Sequence, residues 1–208
     1  MQHVFLAFTN PTVGREAAFN EWYDSRHVPE VLRYGRGFMG CRRFKLHDVP
    51  QAGPIAPWRY IAMYTLQWED LAALAERPWI LDSPPLTPFR GLLDDDHVGW
   101  VFSPCRRDDE GSAAGPLQCA QLDELLLVWS SSRLSDQAVG CAMAESSGGG
   151  VACGYELAGP QRRGQQDSPW RGLMIYALAR GGALPPLKGF SGAWRFRPVS
   201  PYIVRSDL

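Results

Sequence analysis

The two halves of this chain close on the same short pattern. Residues 99–104 read GWVFSP and residues 193–198 read AWRFRP, so Trp-x-Phe-x-Pro occurs at the corresponding end of each half. A second pair of similar apolar segments precedes them, YIAMYTL at residues 60–66 and LMIYAL at residues 173–178. Strand-like segments that recur in the same order predict a repeated supersecondary unit. We therefore expect two related units in one chain.

The first half reads strand, helix, strand, strand, helix, strand. Alternating and apolar runs bounded by Pro and Gly predict its strands; these are residues 3–9, 39–46, 59–67 and 97–104. Amphipathic periodicity predicts a long first helix at residues 13–33, and Ala and Leu favour a short second helix at residues 70–77. This order is the ferredoxin-like plan, an antiparallel sheet with helices on one face.

The second half repeats this order in weaker form. Its predicted elements are strands at residues 124–130, 151–157, 171–180 and 193–204 and a helix at residues 135–145. A charged and Gly-rich segment divides the chain into units at residues 1–107 and 120–208, with a linker at 108–119. The predicted fold class is α+β, with two tandem ferredoxin-like units packed sheet to sheet as an intrachain dimeric α/β barrel.

Composition narrows the partners. The chain has 21 Lys and Arg against 22 Asp and Glu, and this net charge of −1 disfavours nucleic acid and anionic membranes. Neither a leader peptide nor a membrane-spanning run is evident, which predicts a cytoplasmic protein. The five cysteines are odd in number and never form Cys-x-x-Cys, so neither disulfides nor structural zinc is expected.

The densest chemistry lies at the end of the first predicted helix, where residues 22–32 read WYDSRHVPEVL. His27 is the natural acid/base candidate because an ordinary imidazole titrates near neutrality, with a pKa of about 6.5. Tyr23 lies four residues earlier on the same helical face, and Asp24 lies within reach to tune the imidazole. The alternative is that His27 only orients the turn that Pro29 imposes.

On these residues the first half resembles the dimeric α/β-barrel superfamily and its EthD-like branch, in which the first helix ends in an aromatic, a His and a Pro. Trp22, Tyr23, His27 and Pro29 match that pattern. The wider superfamily includes cofactor-free monooxygenases of aromatic polyketides, lactone isomerases, polyketide cyclases, haem-dependent enzymes and ligand-sensing domains. The resemblance therefore implies a fold more firmly than a reaction.

The resemblance implies a small cofactor-independent enzyme that acts on a hydrophobic cyclic or aromatic molecule by proton transfer, as an isomerase, cyclase, lyase or monooxygenase. Its predicted catalytic residues are His27, Tyr23 and Asp24. The alternative function is a non-catalytic ligand-binding or stress-related protein. The predicted substrate-binding residues are Trp22, Arg26, Arg43 and Tyr64. The alternatives are that Trp22 is a packing residue and that Arg43 belongs to a solvated edge strand.

Metal and haem have weaker support. The turn at residues 94–97 (DDDH) offers oxygen and nitrogen ligands, but consecutive side chains point in different directions, so no metal site is expected. A haem would need one of the four histidines as its axial ligand, namely His3, His27, His47 or His97. The sequence contains no haem-attachment motif. We therefore expect a small hydrophobic molecule as the partner and expect no cofactor. Further pairing of two copies of the chain into a homodimer is left open.

Overall fold

The computed structural model describes residues 2–48, 58–68, 86–105, 123–135, 151–158, 168–179 and 190–207. These residues form nine strands, one interrupted helix and a short 3-10 helix at Arg205–Asp207. The strands are β1 (Gln2–Thr9), β2 (Phe38–Asp48), β3 (Tyr60–Gln67), β4 (Val98–Pro104), β5 (Glu124–Ser130), β6 (Val151–Leu157), β7 (Gly172–Leu178), β8 (Gly192–Pro198) and β9 (Ile203–Val204).

Eight of these strands close into an antiparallel barrel. The order of neighbours is β3-β1-β4-β6-β7-β5-β8-β2, and β2 pairs again with β3 to complete the ring. The short strand β9 adds to β2 at Gly40 and Cys41. Closure leaves every one of the eight strands with a partner on both sides, which removes exposed sheet edges. The fold is α+β, with a closed antiparallel barrel and a helical segment packed on it.

The order of strands is the same in the two halves of the barrel. The first four strands run β4-β1-β3-β2 and the next four run β8-β5-β7-β6. The halves meet twice, where β4 pairs with β6 and where β2 pairs with β8. Each junction therefore joins the fourth strand of one half to the second strand of the other.

The interior of the barrel is filled by aromatic side chains. Alternate residues of each strand point inward, as Val4, Leu6 and Phe8 do on β1. Five tryptophans meet at the centre, and the closest pair, Trp129 and Trp170, stacks with ring centroids 4.5 Å apart. The five are Trp58, Trp100, Trp129, Trp170 and Trp194. A second hydrophobic cluster lies between the sheet and the first helix, and it includes Trp22, Tyr23 and Tyr64.

The first helix consists of three parts. An α-helix, α1 (Glu16–Trp22), continues into a π-helical turn at Tyr23–His27, which we call the π-turn, and then into a second α-helix, α2 (Val28–Tyr34). The predicted start at residue 13 is wrong, because Gly14 has a φ of +77° and Val13 is 94% exposed in a turn before the helix. The helical segment then extends to Tyr34, and its hydrogen-bonding pattern widens at the π-turn.

The four strands of the first half and the first three strands of the second half lie within a few residues of their predicted positions. The predicted last strand at residues 193–204 is wrong as one element, because it splits into β8 and β9. Pro198 and Pro201 frame the break, and proline cannot donate to a strand ladder. The helix predicted at 70–77, the linker predicted at 108–119 and residues 136–145 of the second predicted helix lie outside the described residues. Among the described helices, none is long and apolar enough to cross a membrane.

Candidate functional site

The π-turn brings the functional side chains of the first helix to the sheet. The backbone N–H of Val28 bonds to the carbonyl of Tyr23, five residues earlier, which is the defining bond of a π-helix. Pro29 explains the widening, because proline lacks an N–H and its ring clashes with the carbonyl four residues before it, that of Ser25. Such single wide turns inside α-helices occur frequently at functional sites.

The His27 ring contacts two aromatic rings from its own helical segment. Its ring stacks on the indole of Trp22 with centroids 4.7 Å apart and 24° between the planes, and it meets the ring of Tyr23 edge-on at 4.8 Å. Phe89 meets Trp22 edge-on, with ring centroids 6.2 Å apart. The imidazole is therefore in direct contact with two aromatic rings of its own helical segment.

Two polar atoms in this region are buried without a hydrogen-bond partner. They are Nδ1 of His27 and Nε1 of Trp22. A buried polar atom that lacks a partner costs about 1–3 kcal/mol, so each such atom in a native structure calls for an explanation, such as a water or a ligand. Both atoms belong to rings that stack on each other, which makes the π-turn the best candidate site in the described part of the chain.

Burial sets the protonation states. It lowers the pKa of His27 to about 4, with a smaller lowering from the Arg43 cation and an opposing contribution from the Glu30 carboxylate. Burial raises the pKa values of the Tyr23 and Tyr64 phenols and of the Cys41 thiol. At neutral pH the imidazole is therefore uncharged and can accept a proton. The sequence predicted that His27 both accepts and donates a proton near neutrality. The lowered pKa narrows that prediction to accepting a proton.

The structure brings together most of the predicted site residues. Trp22 and Tyr23 belong to the hydrophobic cluster between helix and sheet, and Tyr64 joins them from β3. Asp24, on the π-turn, contacts Arg43 of β2. Arg26 is exposed on the π-turn and does not join the cluster.

The predicted edge strand is wrong for the segment that carries Arg43. β2 pairs with β3 on one side and with β8 and β9 on the other, so it lies inside the closed barrel. Arg43 itself is 1% exposed. The partners that bury β2 come from the second half of the chain, which local charge patterning cannot reveal.

Sequence reasoning missed Asn20 and Cys41. Asn20 precedes Asp24 by four residues and therefore shares its helical face, and its side-chain oxygen accepts a hydrogen bond from Arg43. Cys41 precedes Arg43 by two residues and therefore faces the same side of β2. The i+4 spacing on the helix and the period of two on the strand are the signals that could have identified both residues.

A second polar cluster anchors the start of the helix. The Glu16 carboxylate accepts hydrogen bonds from Lys45 and Arg59, each at 2.7 Å, and from the Tyr60 hydroxyl. The Lys45 hydrogen bond, followed by the Tyr60 hydrogen bond, lowers the pKa of Glu16 to about 2. This cluster ties α1 to β2 and β3 at the end away from His27.

The other histidines have different surroundings. His3 is buried, with Nδ1 3.0 Å from the Ser103 hydroxyl and Nε2 3.1 Å from the Trp68 carbonyl. His97 bonds through Nδ1 to the Asp94 carbonyl, and His47 is exposed. Within the residues that the structure describes, no three candidate metal ligands come together, including those of the 94–97 turn.

Comparison with known proteins bears on the fold. No family model matches this chain, and no curated protein matches it. Thirteen chains of solved structures do match. One is the crystal structure of a provisionally named chlorite dismutase, with a TM-score of 0.52 and 10% sequence identity over 96% of this chain and 95% of that chain. The likeness extends over nearly the whole of both chains and shows a shared α/β-barrel fold.

The pKa of His27 leads to a prediction for stability. Because the folded protein disfavours the imidazolium, the unfolded chain binds more protons between pH 6.5 and about 4, and the free energy of unfolding falls as pH drops through that window. The expected loss is at most about 3 kcal/mol. Urea unfolding of wild type and His27→Gln at pH 7 and pH 4.5 measures it, and the difference between the two proteins isolates His27 from His3, whose pKa is also lowered by burial. Equal pH dependence in both proteins would contradict the assignment.

Proposed function

We propose that this protein is a small cofactor-independent enzyme that removes a proton from a hydrophobic cyclic or aromatic substrate with His27 as the base. The observation that carries the proposal is the pair of unpartnered ring nitrogens on the stacked Trp22 and His27. One is an obligate N–H donor and the other belongs to a neutral imidazole. A substrate that carries an oxygen acceptor next to an acidic proton would satisfy both.

The chemistry follows from the roles of the two rings. His27 Nδ1 accepts the proton of the substrate C–H bond when the imidazole carries its own hydrogen on Nε2. The electron pair of that bond moves to the adjacent carbonyl, and the enolate oxygen accepts the N–H of Trp22. Tyr23 contacts the His27 ring edge-on and limits its rotation. The proton returns to carbon or oxygen in the second half of the reaction.

The low basicity of His27 restricts the substrate class. A base with a pKa of about 4 is fully available at pH 7 but provides little driving force, so the C–H bond must already be acidic. A carbon that lies between a carbonyl and an aromatic ring meets this condition. The surrounding rings of Trp22, Tyr23 and Phe89 favour a planar apolar ligand.

The position of the proposed site agrees with an origin of the barrel from two fused units. We propose that residues 1–107 and 120–208 are tandem ferredoxin-like units that form the barrel as an intrachain pair, with the first unit EthD-like. The matching orders β4-β1-β3-β2 and β8-β5-β7-β6, and the two reciprocal junctions, support that interpretation. The Trp-Tyr-x-x-x-His-x-Pro segment supports the EthD-like assignment of the first unit, where the proposed site lies.

The second candidate is a non-catalytic binding protein, and one observation favours it. Tyr23 is 2% exposed and Trp22 is 9% exposed, while His27 is partly exposed, so the two larger rings are covered by protein. A largely covered aromatic site with one donor and one acceptor can retain a ligand without transforming it.

Deuterium wash-in distinguishes the two functions. The probe is 2-tetralone, whose C1 lies between a carbonyl and an aromatic ring, incubated with the protein in D₂O and followed by proton NMR. The enzyme hypothesis predicts exchange at C1 above the buffer rate. Exchange at the buffer rate in a protein that binds 2-tetralone would refute catalysis on this class and favour the binding function.

Ligand contact with Trp22 is a separate prediction. Titration with 2-naphthol, a stable analogue of the enol, is expected to shift the indole N–H resonance of Trp22, because a new acceptor then faces that donor. Two-dimensional ¹H–¹⁵N NMR measures the shift, and Trp22→Phe identifies the resonance and is expected to weaken binding about 10-fold by loss of one hydrogen bond. A shift at other indoles but not at Trp22 would place the ligand elsewhere.

A further inference from the structure

Arg43 connects the sheet to the π-turn through its guanidinium group. Nη1 donates to Asp24 Oδ1 at 2.7 Å, and Nη2 donates to the side-chain oxygen of Asn20 at 2.7 Å. A longer contact of 3.5 Å joins Nη1 to the backbone carbonyl of Asn20. Both terminal nitrogens of the forked guanidinium group therefore bond to residues on either side of the start of the π-turn.

The base of this side chain is equally well fixed. The backbone N–H of Arg43 donates to the Ser200 hydroxyl at 3.0 Å, and its carbonyl accepts the N–H of Val199 at 2.9 Å. Strand pairing with β3 places Arg43 opposite Ala62. The guanidinium thus projects from a rigid part of the barrel toward a helix whose hydrogen bonding is locally irregular.

Aromatic rings enclose the guanidinium. Its central carbon lies 4.3 Å from the ring centre of Tyr23, 5.2 Å from that of Phe19 and 5.7 Å from that of Tyr60. Arginine suits this setting because its planar group stacks on rings while its N–H groups bond in the plane. The Tyr23 ring in turn meets His27 at 4.8 Å, so it lies between the cation and the imidazole.

We propose that Arg43 is a positioning residue, whose fork on Asn20 and Asp24 holds the π-turn in the form that sets the His27 imidazole against Trp22. This inference rests on the proposed function of His27. It assigns Arg43 a role through the turn, since its terminal nitrogens already bond to the helix and the residue is 1% exposed. A substrate would have to displace Asp24 or Asn20 to reach it.

Replacing Arg43 with lysine distinguishes the effect of its hydrogen-bonding geometry from the effect of its positive charge. Arg43→Lys keeps a cation beside Tyr23 but cannot bond Asn20 and Asp24 together through a planar fork. Asn20→Ala removes one acceptor from the helix side and leaves the Arg43–Asp24 ion pair in place. Lys45→Met is the matched control, because Lys45 lies two residues along the same face of β2 and bonds to Glu16 instead of the π-turn.

Two readouts apply to all three variants. The first is the pH titration of the His27 imidazole by ¹⁵N NMR. The titratable or charged groups that face this imidazole are Glu30, Tyr23 and Arg43. The second is the rate of C1 deuterium wash-in to 2-tetralone. Arg43→Lys and Asn20→Ala are expected to raise the midpoint of His27 by about one pH unit, because a loosened turn admits water. They are expected to lower the maximal wash-in rate about 10-fold with little change in the half-saturating concentration.

The outcomes separate this inference from the proposed function. Titration of His27 near pH 4 in both Arg43→Lys and Asn20→Ala, with rates within about twofold of wild type, would overturn the positioning role. An equal response from Lys45→Met would also overturn it, since the response would then not depend on hydrogen bonds to the π-turn. Absence of wash-in by wild type would count against the proposed function, while the His27 titration would still decide the role of Arg43. If Arg43→Lys fails to fold, Asn20→Ala provides both readouts.

Discussion

His27→Ala is expected to slow deuterium wash-in to 2-tetralone by about 100-fold or more, since general-base catalysis commonly contributes that much. The loss should appear in the maximal rate, because Trp22 and Tyr23 still provide the apolar contacts. In wild type, the rate should rise between pH 3 and pH 5 and stay level to pH 7, following the neutral form of an imidazole whose pKa is about 4.

The matched control for this variant is His47→Ala. His47 is exposed on β2, and substitutions at exposed positions usually have small effects, so its loss should leave the wash-in rate within about twofold of wild type. Retention of the wild-type rate by His27→Ala would remove the catalytic role from the imidazole. A rate that instead rises through pH 6.5 would mean that His27 is solvated rather than enclosed.

Trp129→Ala is expected to lower the free energy of unfolding by about 3–5 kcal/mol, the usual cost of truncating a fully buried tryptophan. Trp129 is 0% exposed and contacts Trp170, Trp194 and Phe8 at ring-centre distances between 4.5 and 5.9 Å. Its removal leaves a cavity where the two halves of the barrel meet. Urea unfolding followed by far-ultraviolet circular dichroism measures the loss without relying on tryptophan emission.

Val13→Ala is the control, because Val13 is 94% exposed and its truncation should change stability by less than about 0.5 kcal/mol. If Trp129→Ala does not fold, Trp129→Phe keeps a ring in the same place and should show a smaller loss of the same sign. A loss below about 1 kcal/mol for Trp129→Ala would mean that the aromatic cluster is not the core that holds the halves together.

The strands could be predicted from sequence because their signal is local. β1 alternates between the barrel interior and the helix side, with Val4, Leu6 and Phe8 inward, and the run ends at Asn10 and Pro11. The paired Trp-x-Phe-x-Pro segments also fall on β4 and β8. Length and flanking residues were sufficient for these elements, since a strand needs little more than a period of two between turns.

Other features depend on distant partners and could not be predicted. Arg43 reads as a surface charge on β2 until β8 and β9 bury that strand and the helix provides Asp24. The π-turn had a signal in Pro29, but proline predicts a break or kink without stating how the helix accommodates it. The lowered pKa of His27 depends on burial, which no motif in residues 22–32 reports.

A crystal structure of the protein with 2-naphthol tests the central claim most directly. The account predicts the ligand beside the π-turn, with its oxygen about 3 Å from Trp22 Nε1 and a ring carbon adjacent to His27 Nδ1. A structure in which 2-naphthol lies away from both rings, with their two nitrogens bonded to other protein groups, would contradict it.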